Sequence, residues 1–147
     1  MYEFWVFLHV VGALLFAGAH GVPAAVAFAV RDEGDPEQLG RLLDLAAAAR
    51  PAQYVGLALL VVGGVAAGWM GGWWGTGWIW ASVVLLVAML VGAAPLAVVF
   101  ARLRRAIRAS AAADVERARR SPVPLVVAAY EAAGLLVIVW LMVAKPF

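Results

Sequence analysis

Charged residues are confined to short blocks of the chain, and long apolar stretches separate them. Phe4 to Val30 contains no formally charged side chain, and neither does Pro51 to Ala101. Pro124 to Ala144 carries a single one, Glu131. A membrane-crossing helix needs about 20 apolar residues, so the first stretch predicts one span, at about 4–30. The second stretch is too long for one span. Its "MGGWWGTG" segment, Met70 to Gly77, divides it, because clustered glycines favour a turn and tryptophans suit the interfacial belt. A second span near 52–70 and a third near 78–102 follow. The fourth occupies about 124–144, with Pro122 and Pro124 at its start, where proline is tolerated. The predicted fold is all-α: an integral membrane four-helix bundle in which residues 1–147 form a single membrane domain.

Composition agrees with that reading. The chain is 66% hydrophobic and 14% charged, with a mean hydropathy of +0.95. Soluble domains lie nearer half apolar and a quarter charged. With no cysteine, disulfides, thiolate metal sites and iron–sulfur clusters are excluded. The formal charge of +2 does not point to nucleic acid, because the arginines sit beside apolar spans, as topology determinants do. Ten of the eleven basic residues are arginine, which suggests a GC-rich bacterial genome and hence the bacterial cytoplasmic membrane. Ala17-Gly18-Ala19 resembles a signal-peptide cleavage site, but Met1-Tyr2-Glu3 lacks the basic flank such a peptide has. The first span is therefore expected to be a retained helix.

Orientation follows from the arginines. The 31–50 connection holds Arg31, Arg41 and Arg50, and the 102–120 connection holds seven more; the opposite side has only Lys145. The positive-inside bias places both arginine-bearing connections in the cytoplasm, with both termini and the tryptophan turn outside. Asp35-Pro36-Glu37-Gln38 reads as a helix start, with a capping acid, proline next, and Gln at the capping-box position. The helix that follows is expected to lie in the membrane interface. The 102–120 segment is expected to extend the third helix into the cytoplasm, and neither connection reads as a folded domain.

Inside the spans, small residues four apart allow close helix approach. Ala13, Ala17 and Gly21 have this spacing on the first helix, and Gly64, Gly68 and Gly72 on the second. Gly92 and Pro95 mark a kink in the third. Ionisable groups within a membrane are costly and signal function, and only His9, His20 and Glu131 qualify. The two histidines are eleven residues apart, about 16 Å along one helical face. Ala13, Phe16 and Ala24 continue that face. One metal ion does not bridge such a distance, so each imidazole needs its own partner or ligand. His20 and Glu131 lie at similar depths from the arginine side, about 15 Å and 10 Å at helical rise, which predicts that they pair. His9 lies towards the other side, at the expected level of Met70, Met142 and the tryptophan turn. Histidine with thioethers suits copper, and a histidine alone suits an axial position on haem. No hydrolytic triad, phosphate loop or paired carboxylate is present.

The first span, "FLHVVGALLFAGAHG", resembles the first helix of small bacterial membrane proteins around copper-resistance protein D, and that of HemJ-type protoporphyrinogen oxidases. Leu8-His9, Gly12, Phe16 and Gly18 carry the resemblance, together with the four-span layout. It implies that His9 corresponds to the histidine that handles haem or copper in those families. His20 is outside the shared pattern. HemJ-type enzymes also carry a membrane lysine, which no span here contains, so the resemblance implies cofactor binding rather than that oxidation. The leading expectation is a protein that binds haem b through His9 and His20, in electron transfer or haem handling. A parallel homodimer meeting along the first helix would stack two such cofactors. Copper at His9 with Met70 or Met142 is the second expectation, and an accessory subunit without a cofactor is the third.

Overall fold

The computed structural model describes residues 1–147, and it is helical outside short turns. Four rods are long and apolar enough to cross a membrane. The first is α1 (Tyr2–Asp32). The second is α2 (Pro36–Ala48), which passes through Ala49 into α3 (Arg50–Met70). α4 (Gly77–Gly92) and α5 (Ala94–Arg108) form the third, broken at Ala93 between Gly92 and Pro95. α6 (Ala112–Arg119) and α7 (Val123–Ala144) form the fourth. Phe4, Leu14, Val62, Val84, Leu136 and Val143 are exposed, an outer surface suited to hydrocarbon rather than water.

The helices do not close into a ring. α3 packs on α1, α1 on α7, and α7 on α4 and α5. The α1–α3 contact is the closest, and glycine makes it possible. A Cβ on Gly12 would fall 2.2 Å from the Leu60 nitrogen, and one on Gly56 would fall 2.5 Å from the Phe16 nitrogen. The small-residue stripes expected from spacing are replaced by this set. Gly21 meets nothing, and Gly72 lies in the turn after α3 with φ +69°, a left-handed conformation that glycine adopts without strain. Gly64 and Gly68 do face neighbours, the His9 ring and Trp74 respectively. On the far side of the array, Gly92 receives the Tyr130 ring and Gly134 the Met89 thioether.

The end bearing the arginines is more structured than the sequence suggests. Asp35 caps α2, its carboxylate accepting from the Glu37 nitrogen at 3.0 Å, with Pro36 in the first turn. Gln38 does not complete a capping box; its carbonyl accepts from Arg41 Nε at 3.1 Å. α2 turns Leu39 and Leu43 inward against Val26, Val30 and Leu103. The 102–120 segment likewise does not run on as one helix. It reverses at Ser110 (φ 51°), and α6 returns so that Val115 and Ala118 pack on the same cluster. Arg104 pairs with Asp44 at 2.7 Å, and Arg119 reaches the Glu33 carbonyl. Both arginine-bearing connections thus form one small helical cap at one end of the molecule. At the opposite end a single 3₁₀ turn (Trp73–Gly75) is held by Tyr2, edge-on to Trp73, and by Lys145, 4.3 Å above the Trp73 ring.

Candidate functional site: a buried imidazole–carboxylate centre

Three helices bring one polar group each to a single point in the half of the molecule nearer the arginines. His20 Nε2 on α1 lies 2.8 Å from Glu131 Oε2 on α7, so the two residues matched by depth do meet. On the other side of the ring, Nδ1 lies 2.5 Å from Gln53 Nε2 on α3. Phe16, one turn before His20, stacks on the imidazole with centroids 5.1 Å apart, which fixes the plane of the ring. Glu131 is 5% exposed. Its second oxygen, Oε1, is buried with no hydrogen-bond partner. The Nε2–Oε2 approach is close but poorly aligned, since Nε2 also lacks a hydrogen bond of good geometry.

The tautomer and the Gln53 amide are linked. In a neutral ring whose Nδ1 accepts from the Gln53 amide nitrogen, the proton sits on Nε2, facing the carboxylate. An imidazolium carries protons on both nitrogens and requires Gln53 to turn its carbonyl to the ring instead. The amide is therefore coupled to the proton count of the ring. Both ring nitrogens face protein groups, so in this arrangement His20 offers no open lone pair to a haem iron or a metal.

Gln53 is the site residue that sequence reasoning passed over. It is the only amide side chain in the charge-free stretch Pro51–Ala101, which was a usable signal. α1 and α3 run antiparallel, and the last turns of α1 pack on α2 rather than α3. That shifts Gln53 level with His20.

His9 has a different environment. Its Nδ1 donates to the Leu60 carbonyl of α3 at 2.7 Å, so in the neutral ring Nε2 holds the lone pair. The half-buried ring rests on Gly64, where a Cβ would come within 2.8 Å of Nδ1. His9 is not level with the tryptophan turn, as its sequence position suggested. Tyr2 is the residue of α1 that meets Trp73, and His9 lies seven residues further along, about 10 Å. Met70 is exposed at the end of α3, six residues or about 9 Å of rise beyond Gly64. Met142 packs in the cluster of Trp78, Ile79 and Leu141. No three His, Asp or Glu side chains gather as a metal site. Ala13 and Ala24 are half-buried on α1. The face carrying His9, Gly12, Phe16 and His20 is covered by α3 of the same chain, so it is not presented to a second copy for a histidine-to-histidine dimer.

A family profile described as "Predicted integral membrane protein (DUF2269)" matches residues 4–146, nearly the whole chain. No curated protein and no solved structure matches it.

Proposed function

We propose, from the premise that this chain belongs to the DUF2269 family of predicted integral membrane proteins, that it is a proton-binding protein of the bacterial cytoplasmic membrane. Its arginine cap faces the cytoplasm and both termini face outward. Proton uptake at the His20–Glu131 pair is coupled to transport or electron transfer across the bilayer. One observation carries this reading: Glu131, almost wholly buried, touches His20 while its second oxygen has no partner. A buried carboxylate serves stability only when its lone pairs are satisfied. This one is incompletely satisfied and sits where ionisable groups mark proton relays. Gln53 lies three residues from Arg50, so the arginine side is the nearer one for exchange.

The test follows the two groups directly. The nitrogen resonances of His20 and the infrared carboxyl band of Glu131 are recorded in lipid across pH, in the native chain and in Glu131→Gln. The two signals should change together in the native chain, and that joint change should be lost when the carboxylate is removed. Signals that stay constant across pH would reduce the centre to a clamp between α1, α3 and α7, the accessory-subunit reading.

A second reading has its own observation. The Nδ1–H donation from His9 to a backbone carbonyl leaves Nε2 as the ligating nitrogen, the orientation in which ligating histidines are held. His9 would hold haem b, which supplies one-electron chemistry when bound. Copper at His9 is weaker, because the 9 Å of rise separates Met70 from the imidazole. A Soret band in purified protein, lost in His9→Ala and kept in His20→Ala, is the expected result. Colourless protein that retains copper would favour the metal, and colourless protein without copper ends both cofactor readings.

A further inference from the structure

At the arginine end, α5, α6 and the start of α7 surround a cleft of about 700 Å³. Four arginines line it: Arg102 and Arg105 from α5, Arg117 from α6, and Arg120 just beyond α6. Two of the four are already paired. Arg117 binds Asp114, the one acid in the lining, at 2.7 Å, and Arg120 binds Glu116. The other two are not neutralised by any carboxylate. Arg105 donates only to the Ala101 carbonyl of its own helix, at 3.3 Å, and Arg102 has neither an ion-pair nor a hydrogen-bond partner. The cleft therefore carries uncompensated positive charge.

Apolar groups complete the lining. Val99 lies one turn before Arg102 on α5, and Pro122 lies at the entry to α7. Residues 94–101 contain no charge and arginines begin at 102, so the cleft straddles the boundary between hydrocarbon and headgroup depth. A free anion would use the guanidinium groups and leave the apolar groups idle. A membrane lipid uses both. We propose that this cleft binds an anionic phospholipid, with Arg102 and Arg105 on the phosphate and Val99 and Pro122 against the glycerol and first acyl carbons. Guanidinium is the side chain suited to this, because its planar fork matches two phosphate oxygens. The inference does not depend on which way the chain crosses the bilayer or on the chemistry of His20.

The experiment uses the full chain in nanodiscs of phosphatidylcholine containing a minority of phosphatidylglycerol, with native mass spectrometry counting retained lipid. The native chain should retain phosphatidylglycerol preferentially. Arg102→Gln with Arg105→Gln should lower that retention by about thirtyfold, as expected for loss of two charges near a membrane surface. Arg102→Lys with Arg105→Lys should recover part of it. Arg41→Gln, which removes the exposed partner of Glu37 outside the cleft, should change nothing. If the double Gln variant does not fold, Arg102→Gln alone serves, since Arg102 holds no other group in place; about fivefold loss is expected. Unchanged retention in the variant that folds overturns the proposal. So does displacement of the lipid by millimolar inorganic phosphate, which would make the cleft a free-anion site.

Discussion

A methyl group added at Gly63 would lie 2.5 Å from the backbone nitrogen of His9, closer than carbon and nitrogen can pack. Neither backbone can move alone, because Gly12 and Gly56 impose the same close approach on other turns of the same pair of helices. Gly63→Ala should therefore force α1 and α3 apart and destabilise the protein by about 1–3 kcal/mol, the cost of overpacking a tight contact. It should also lengthen the His9–Leu60 hydrogen bond, because the Leu60 carbonyl is on the helix being displaced. Gly18→Ala is the control, since a Cβ there meets nothing within 4 Å. Thermal unfolding in detergent separates the two; equal midpoints would show that the α1–α3 contact is looser than its geometry indicates. At this scale the sequence disclosed which polar residues mattered but not which glycines. His9, His20 and Glu131 stand out because ionisable groups are rare in apolar spans. Every span contains glycine or alanine at helical spacing, so the pattern that selected Gly64, Gly68 and Gly72 fits several faces equally well.

Helices α2 and α6 show how element-level reading fell short. Each is short and amphipathic, and an amphipathic helix beside a membrane is satisfied equally by lipid or by another helix. For α6 the partner was decided by chain reversal at Ser110, which folds it back against α5 and the cluster around Leu103, and a positive φ at a serine carries no sequence signature. On α6 a small charge network holds the arrangement. Hydrogen bonds from Arg119 and then Arg120 hold the Glu116 carboxyl below the usual carboxylate range, and their charges add to the effect against a small cost of desolvation. Arg119 in turn donates to the Glu33 carbonyl, beyond the end of α1. A carboxylate depressed in the folded state contributes stability above its unfolded value, and that contribution disappears as pH falls through the folded one. Because Glu116 is solvent-accessible, the effect is small and screened by salt. Amide exchange over residues 112–120 should therefore quicken only below the ordinary carboxylate range. Glu116→Gln should quicken it at neutral pH and abolish the acid dependence. An unchanged acid response in that variant would assign it to another carboxylate, with Asp114 the nearest alternative.

At the scale of the whole molecule, the number of spans was readable and their lateral order was not. Span number follows from bilayer thickness, which sets a length of apolar chain that any sequence must supply. Lateral order depends on which faces pack, and lipid tails are as apolar as leucine, so no hydrophobic contrast marks the contact faces. The order α3, α1, α7, α4 instead rests on glycine contacts and on one polar junction, His20 with Gln53 and Glu131. What the fold adds to the question of orientation is coherence. The arginine-bearing connections do not merely lie on one side; they interlock, through Arg104 with Asp44, Arg119 with Glu33, and Arg31 with the Ser121 carbonyl at 3.4 Å. A molecule with ten arginines gathered at and beside one end and a single lysine near the other should, by the positive-inside bias, insert with the arginines cytoplasmic, because basic segments resist translocation. Cysteine placed at Ser110 or Thr76 reads this out in a chain that has no cysteine of its own. Ser110→Cys keeps a Cβ at a position whose φ is already positive, so the reporter adds no backbone strain beyond that already present. In intact cells, a membrane-impermeant maleimide should label Thr76→Cys and leave Ser110→Cys unlabelled until the cells are opened. The reverse pattern would invert the molecule, place the His20–Glu131 centre nearer the outer surface, and make that surface the side from which its proton exchanges.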